Sequence, residues 1–417
     1  MQGAQIAVLF DGQFRCAESG RTIEGRHCAR LDGTHATLAG HSGTVLTLTP
    51  LDARSTFELG NVTIGIGFHW QRLEKQRFGG RLRLVADGGR LHAINLIPIE
   101  QYLTSVISSE MCATSSLQLL KAHAVTSRSW LMAQLAGRSA ERQPRPAATP
   151  EADIRWYDRE DHRLFDVCAD DHCQRYQGIT RAANPAVSRA VAETEGLVLT
   201  ADGRICDARF SKCCGGMTEL YENCWDDTPH SYLTALADTP DEAAPADLTR
   251  EENARRWIES EPEAFCNTAD AGTLRQILNS YDRETPDFYR WSVSYTADEL
   301  RQLLRTKTGI DFGDIRSLTP VRRGPSGRIV TLRIEGSLRT MTVGKELEIR
   351  RILSPTHLYS SAFVVDRTES GFRLRGAGWG HGVGLCQIGA AVMGEHGYDF
   401  RQILAHYFKN AVIEKRW

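Results

Sequence analysis

The sequence predicts a mixed α+β protein whose sheets are largely antiparallel, with a helical segment preceded by a small β-rich N-terminal region. Three observations predict it. Residues 1–94 consist of short runs, several with β-branched residues, separated by Gly, Asp and Asn. Helical periodicity then takes over between Pro98 and Leu135, and strand-like alternation returns from Trp291.

In chain order, Ile6–Phe10, Thr44–Leu48, Val62–Phe68 and Leu82–Val85 read as strands. Residues 81–95 read as a hairpin turning at Asp87-Gly88-Gly89. Pro98 suits a first helical turn. Ile99, Leu103, Val106 and Ile107 then fall on one face of a helix. Met111 to Ser116 interrupts it, and Ser115 or Ser116 can cap a second helix carrying Leu117, Leu120, Ala124, Leu131 and Leu135. Residues 137–155, rich in Pro and charge, read as an exposed linker, followed by short strands and loops to about residue 235. The polar stretch 238–290 reads as an insertion with a helix around Glu251–Glu259. After it come a strand at Trp291–Tyr295, a helix at Ala297–Thr306, strands near Ile329–Ile334 and Ala362–Val365, a glycine-dense stretch, and an amphipathic helix with Ile403, Leu404 and Tyr407.

Composition narrows the function classes. The 417 residues are 41% hydrophobic and 24% charged, the profile of a globular protein with a large core. Lys and Arg number 50 against 52 Asp and Glu, which leaves no whole-chain cationic field to hold nucleic acid or an anionic membrane. No apolar run reaches the roughly 18–20 residues of a membrane-spanning helix. The first ten residues lack the basic and apolar regions of a secretory signal, so the expectation is either a cytoplasmic chain or one whose leader has been removed. The cysteine count, 11, is odd, so at least one thiol is free or a ligand; most read as small buried hydrophobes.

Four constellations could carry chemistry. In Ser108-Ser109-Glu110-Met111, the carboxylate sits among apolar helical residues near a helix joint, and Lys121, His123 and Arg128 follow in the next helix. Burial prepares a carboxyl to act as a general acid near neutral pH; the competing reading is a surface Glu at a helix end. His162, Cys168 and Cys173 offer an imidazole and two soft thiolates, which suits Zn²⁺, with His172 or a distant residue as a fourth ligand. A Cys168–Cys173 disulfide fits the spacing equally well. Residues 375–391 carry five glycines between 376 and 384 around Trp379 and His381, which lets backbone approach a ligand closely or simply builds a cluster of turns. This stretch does not follow a strand in a βαβ unit, which excludes a dinucleotide fingerprint. In Ser211-Lys-Cys-Cys-Gly-Gly-Met-Thr-Glu, paired thiols could bind metal or act as nucleophiles, but a strand end and turn is the favoured role.

Taken in order, Ile97 to Met111, Leu120 to Trp130, Asp166-Val-Cys with His172-Cys-Gln, Gly215-Gly-Met-Thr-Glu and Gly378-Trp-Gly-His-Gly-Val-Gly-Leu-Cys-Gln-Ile-Gly-Ala resemble the SpoIID/LytB family, the stage II sporulation protein D and amidase-enhancer group. Arg323-Gly-Pro-Ser-Gly-Arg and His406-Tyr-Phe-Lys-Asn-Ala extend the match, which covers roughly 80–235 and 290–417. The resemblance implies a β-rich N-terminal region at 1–80 and a catalytic domain at 81–417 carrying the 238–290 insertion. It implies lytic transglycosylase activity on peptidoglycan glycan strands, especially strands stripped of stem peptides. The family's catalytic carboxylate falls on Glu110, and its Cys/His zinc ligands fall on His162, Cys168 and Cys173. Ser211, Trp379, His381 and Gln387 become candidates to line the glycan groove. Cys112 departs from the family pattern, which has proline after Glu-Met.

One acid suffices for this chemistry, because a muramoyl C6 hydroxyl can supply the nucleophile that a hydrolase must take from water or a second carboxylate. A wall substrate implies an extracytoplasmic location in the cell envelope, with an N-acetylmuramoyl-L-alanine amidase as a second partner. Two other readings compete: a non-catalytic glycan-binding amidase activator, and a scaffold in which zinc only staples a loop.

Overall fold

Alternation of buried and exposed side chains organises the first sheet. In the strand Gln5–Cys16, Ile6, Val8, Phe10, Phe14 and Cys16 point inward while their neighbours face solvent. The register shifts between Phe10 and Phe14, where the strand changes partners. This is a computed structural model, and it describes residues 1–66, 71–112, 115–137, 148–149, 151–155, 162–170, 172–180, 184–240, 245–277 and 287–417. The chain divides into two compact units, Met1–Ala113 with His162–Glu195, and Thr114–Asp161 with Gly196–Trp417.

The first unit is built on a ten-stranded sheet whose pairings are antiparallel among the described residues. Phe14, Phe57, Phe78, Leu82, Leu84 and Leu91 fill its interior. The expected hairpin pairs Arg81–Asp87 with Arg90–Leu96 around Gly88 and Gly89, both in the left-handed region that glycine reaches without strain. The strand expected at Val62–Phe68 belongs to Thr56–Ile64, and residues 67–68 lie outside the described residues. The helix Ile99–Glu110 follows, buries Leu103, Val106 and Ile107, and packs against a second helix, Pro185–Glu193. That second helix corrects the expectation of strands and loops here. Asn184 caps it by accepting the Ala186 N–H at 3.0 Å, and Pro185 starts the first turn.

The second unit begins with the helix Leu117–Ala136, capped by Ser116, whose Oγ accepts the Leu119 N–H at 3.3 Å. Its largest described sheet runs Ala152–Ile154, Thr340–Gly344, Ile329–Gly336 and Ile315–Arg323. Residues 138–147 and 150 of the expected linker lie outside the described residues, but 152–154 are no linker. They pair in parallel with Thr342–Gly344 and supply backbone partners to that strand's edge. A three-stranded antiparallel sheet joins Arg290–Thr296, Gly371–Ala377 and Phe363–Arg367. Trp291, Leu300, Phe312, Leu332, Phe363 and Leu374 belong to the core beneath these two sheets.

The helix Ala297–Thr308 starts in a Thr296/Glu299 capping box and stops at Gly309, at φ 72°. In the 238–290 stretch, Glu251–Glu259 is helical as expected and Ala271–Ile277 forms another helix; 241–244 and 278–286 lie outside the described residues. The mixed α+β class with mostly antiparallel sheets and a strand-rich N-terminus is thus the observed one.

Losing the Ser116 cap leaves a first-turn N–H of the long helix without its partner. Ser116→Ala is expected to lower stability to urea by about 1 kcal/mol, while Ser116→Asp keeps it within a few tenths.

Candidate active site and metal centre

Glu110 is the last residue of its helix and is only 7% exposed. Its Oε1 accepts the backbone N–H of Arg175 at 3.3 Å. The segment carrying that N–H is itself fastened. Tyr102, on the helix of Glu110, stacks on Tyr176 at 5.2 Å and 18°, and its hydroxyl reaches Gln174 Oε1 at 3.4 Å. The Tyr176 hydroxyl donates to Asn95 Oδ1 on the neighbouring strand. Both tyrosines are buried, so neither hydroxyl ionises near neutral pH.

A few residues upstream, His162, Cys168, His172 and Cys173 gather their ligand atoms within 4.8 Å of one another. Cys173 Sγ lies 3.4 Å from His162 Nε2 and 3.5 Å from His172 Nδ1, and Cys168 Sγ lies 3.8 Å from His172 Nδ1. Zinc–sulfur and zinc–nitrogen bonds of about 2.3 and 2.0 Å give tetrahedron edges of about 3.4–3.8 Å, so these separations fit the ion. Cys168 and Cys173 are not joined in a disulfide. Hydrogen bonding from Cys173, and then from His172, holds the Cys168 thiol down at about 3, in the thiolate form a soft metal needs. The sequence offered His172 or a distant residue as a fourth member, and the fold brings His172 into the group.

The other candidates lie in the second unit. The strand Phe210–Ser211 pairs in parallel with Leu385–Cys386, and Cys213 and Trp379 exchange backbone hydrogen bonds of 3.1 and 2.8 Å. These contacts set the chain around Cys213 beside the glycine-rich stretch. Two buried groups lock the pair. Arg328 donates to the Cys214 carbonyl at 3.2 Å and to the Gly380 carbonyl at 3.2 and 3.3 Å. Glu219 accepts from Ser326 Oγ at 2.6 Å and Asn223 Nδ2 at 2.8 Å, while its own N–H meets the Gly382 carbonyl at 3.0 Å. Gly382 lies over the Arg328 guanidinium at φ +76°, where an added Cβ would come within 2.4 Å of the guanidinium carbon.

Of the residues expected to line a groove, Trp379 is partly exposed and stacks on Phe288 at 4.7 Å and 28°. Ser211 Oγ is buried without a hydrogen-bond partner among the described residues. His381 Nδ1 accepts the Val383 N–H at 3.0 Å, and the ring also bonds the Phe210 backbone. Its packing, and then Arg209 and Arg328, push its pKa well below the usual histidine range. Gln387 is buried, with its amide nitrogen 3.1 Å from His123 Nε2. His123 Nδ1 in turn lies 3.1 Å from Ser127 Oγ. Arg128, one residue further along that helix, is buried and donates to the Leu197 carbonyl at 3.0 Å.

Comparison with known proteins fits this arrangement. The Stage II sporulation protein family, SpoIID, matches residues 87–200, the stretch that holds Glu110 and the Cys/His cluster. A domain of unknown function, DUF8618, matches residues 219–384. Stage II sporulation protein D of Bacillus amyloliquefaciens is 23% identical over 325 residues, 78% of this chain and 76% of that protein. The protein of the same name from Bacillus subtilis (strain 168) is 24% identical over 327 residues, again 78% and 76%. The Amidase enhancer of Bacillus subtilis (strain 168) is 24% identical over 330 residues, 75% of this chain and 40% of that protein. The chain carries a SpoIID domain. Over that stretch it is similar to the SpoIID/LytB family.

Burial, and then Lys212, lower the His123 pKa to about 3, so the ring is neutral at pH 7. The folded pKa lies below the unfolded value of about 6.5, so its contribution is fully present above pH 6.5 and lost as pH falls toward 3. The slope from this one group approaches about 1.4 kcal/mol per pH unit. Urea unfolding of wild type and His123→Gln at pH 7.5, 6, 5 and 4 checks it. The stability difference between the two proteins should shift toward the variant as pH falls.

Proposed function

We propose that the chain is a peptidoglycan lytic transglycosylase that cuts glycan strands, preferentially those stripped of stem peptides, with Glu110 as its single acid/base. The observation that carries this reading is the buried Glu110 carboxylate, held by the Arg175 N–H in a segment that leads directly from the metal-ligating residues. A carboxyl fixed in this way is available to move one proton at a defined point.

The chemistry needs that group twice. Protonated Glu110 gives its proton to the glycosidic oxygen as the bond to the muramoyl C1 breaks. The resulting carboxylate takes the proton from the C6 hydroxyl of the same sugar, whose oxygen closes on C1. The product is a 1,6-anhydromuramoyl end, and Glu110 is returned to its protonated state. The nucleophile is already tethered to the reacting carbon, so it acts at high effective concentration without a second carboxylate.

Zinc is the metal this reading assigns to His162, Cys168, His172 and Cys173. When bound it supplies structural cross-linking: the four residues would hold the stretch that ends in the Arg175 N–H. Ser211, Trp379, His381 and Gln387 are the residues this reading assigns to the glycan groove, Ser211 and Trp379 by contact, His381 and Gln387 through the backbone and side chains they hold in place. The wall substrate puts the protein outside the cytoplasm, in the cell envelope. Among the described residues, no helix is long and apolar enough to cross a membrane. A relative named Amidase enhancer favours a second reading, in which the chain binds glycan and assists an N-acetylmuramoyl-L-alanine amidase without cutting.

Glu110→Gln keeps the shape and a hydrogen-bonding oxygen but has no proton to give. Cleavage of denuded strands is expected to fall by about 10²–10⁴-fold while strand binding in a pull-down stays near wild type. Equal rates for the two proteins contradict the residue's role, and a wild type that binds but never cuts favours the amidase-assisting reading.

Cys168→Ser should lose the zinc of this cluster, read by elemental analysis, along with most of the cleavage. A metal-free wild-type chain with full activity contradicts the zinc assignment.

A further inference from the structure

A second group of soft ligands lies deep in the second unit, built from residues far apart in sequence. Cys214, Asp238, Cys266 and Cys386 are all buried and bring one ligand atom each within 4.8 Å of the others. Cys214 Sγ lies 3.5 Å from Cys266 Sγ and 3.4 Å from Asp238 Oδ2. The Cys214 N–H donates to Cys386 Sγ at 3.2 Å. Each ligand is fixed by its own backbone setting. Cys214 precedes the Gly215-Gly216 turn, and Cys386 ends the short strand Leu385–Cys386 and caps the helix Gln387–Glu395. Asp238 bonds through its backbone to both Gly216 and Phe265, which brings Cys266 alongside.

The carboxylate is the telling member. Asp238 is 0% exposed. Its Oδ1 accepts from the Tyr407 hydroxyl at 2.7 Å, and its Oδ2 accepts from the Cys266 N–H at 3.1 Å. These neutral donors orient the group without matching its charge. His406 Nε2, a buried atom with no hydrogen-bond partner among the described residues, is 3.5 Å from Oδ1. A buried carboxylate pointed at three thiols is costly in an apolar interior unless a cation sits among them.

We propose that Cys214, Cys266, Cys386 and Asp238 form a second, mononuclear zinc site. Three thiolates and one carboxylate are a ligand set that zinc accepts, and the Cys214–Cys266 and Cys214–Asp238 separations of 3.5 and 3.4 Å are close to the edges of a tetrahedron with zinc–ligand bonds of about 2.0–2.3 Å. An iron–sulfur cluster places several bridged irons between its cysteines and needs wider spacing. The binding displaces three thiol protons and leaves the site closed to substrate, so its role is structural. It clamps four stretches together: the turn at Gly215, residue 238, the stretch at Cys266, and the start of the helix that carries Gln387. Its ligands are distinct from Glu110 and from the His162 cluster.

Zinc per chain, measured by elemental analysis on the full chain after gel filtration, tests it. Wild type is expected to hold about two zinc ions, Cys168→Ser about one, Cys266→Ser about one, and the double variant none. If Cys266→Ser does not fold, the Cys168→Ser chain loaded with Co²⁺ replaces it. An intense near-ultraviolet thiolate-to-cobalt band with tetrahedral visible bands is then expected. Absence of both zinc and that band in Cys168→Ser overturns the site. So does recovery of Cys214 and Cys266 as a disulfide-linked peptide from the freshly purified chain.

Discussion

The second unit depends on one buried cross-link, in which Arg328 and Glu219 tie two glycine-bearing stretches to each other. Neither stretch has regular structure of any length to hold it. The strands Phe210–Ser211 and Leu385–Cys386 are two residues each. Backbone carbonyls at Cys214 and Gly380 would be orphaned without the guanidinium, and Arg328 would be a buried, unmatched charge without them. Glu219 completes the lock through Ser326, which also faces Arg328 at 3.0 Å. Burial raises the Glu219 pKa, and the hydrogen bonds from Ser326 and Asn223 oppose that rise. The density of glycine follows from this packing: Gly382 has room for no side chain above the guanidinium.

The first unit solves a related problem with different chemistry. Glu110 ends a helix, and its carboxylate needs a fixed neighbour that the helix cannot supply. The stretch Cys173–Tyr176 provides it, with the His162 cluster at one end and the tyrosine stack at the other. In both units irregular backbone carries the candidate chemistry, and buried polar groups do the work that a sheet or helix does elsewhere.

Much of this was legible in the sequence, and the physical reasons differ by residue. The hairpin at Asp87-Gly88-Gly89 and the helix beginning at Ile99 were readable because their determinants are local: turn chemistry and an apolar face. The His162 cluster was half legible. His162, Cys168 and Cys173 are close in sequence, but only the fold shows that the two cysteines are not disulfide-bonded and brings His172 beside them. The helix at Pro185 was missed although Asn184-Pro185 is a good start signal, since its apolar face, Val187, Ala190 and Val191, lies within only nine residues. The strand Ala152–Ile154 could not be read because its partner is remote in sequence. The same holds for Cys214, Asp238, Cys266 and Cys386, whose separations match no ligand spacing. Ser211, His381 and Gln387 were singled out as surface for a sugar; the fold gives His381 and Gln387 internal partners, which the sequence had no means to show.

In the proposed reaction, bond cleavage uses the sugar's own hydroxyl and no water. Denuded glycan strands digested by the wild-type protein in ¹⁸O-enriched water, with the products weighed by mass spectrometry, test it directly. Ends about 18 mass units lighter than hydrolysed sugar and free of ¹⁸O are the predicted result, since the C6 oxygen closes on C1. Reducing ends that carry ¹⁸O would contradict it.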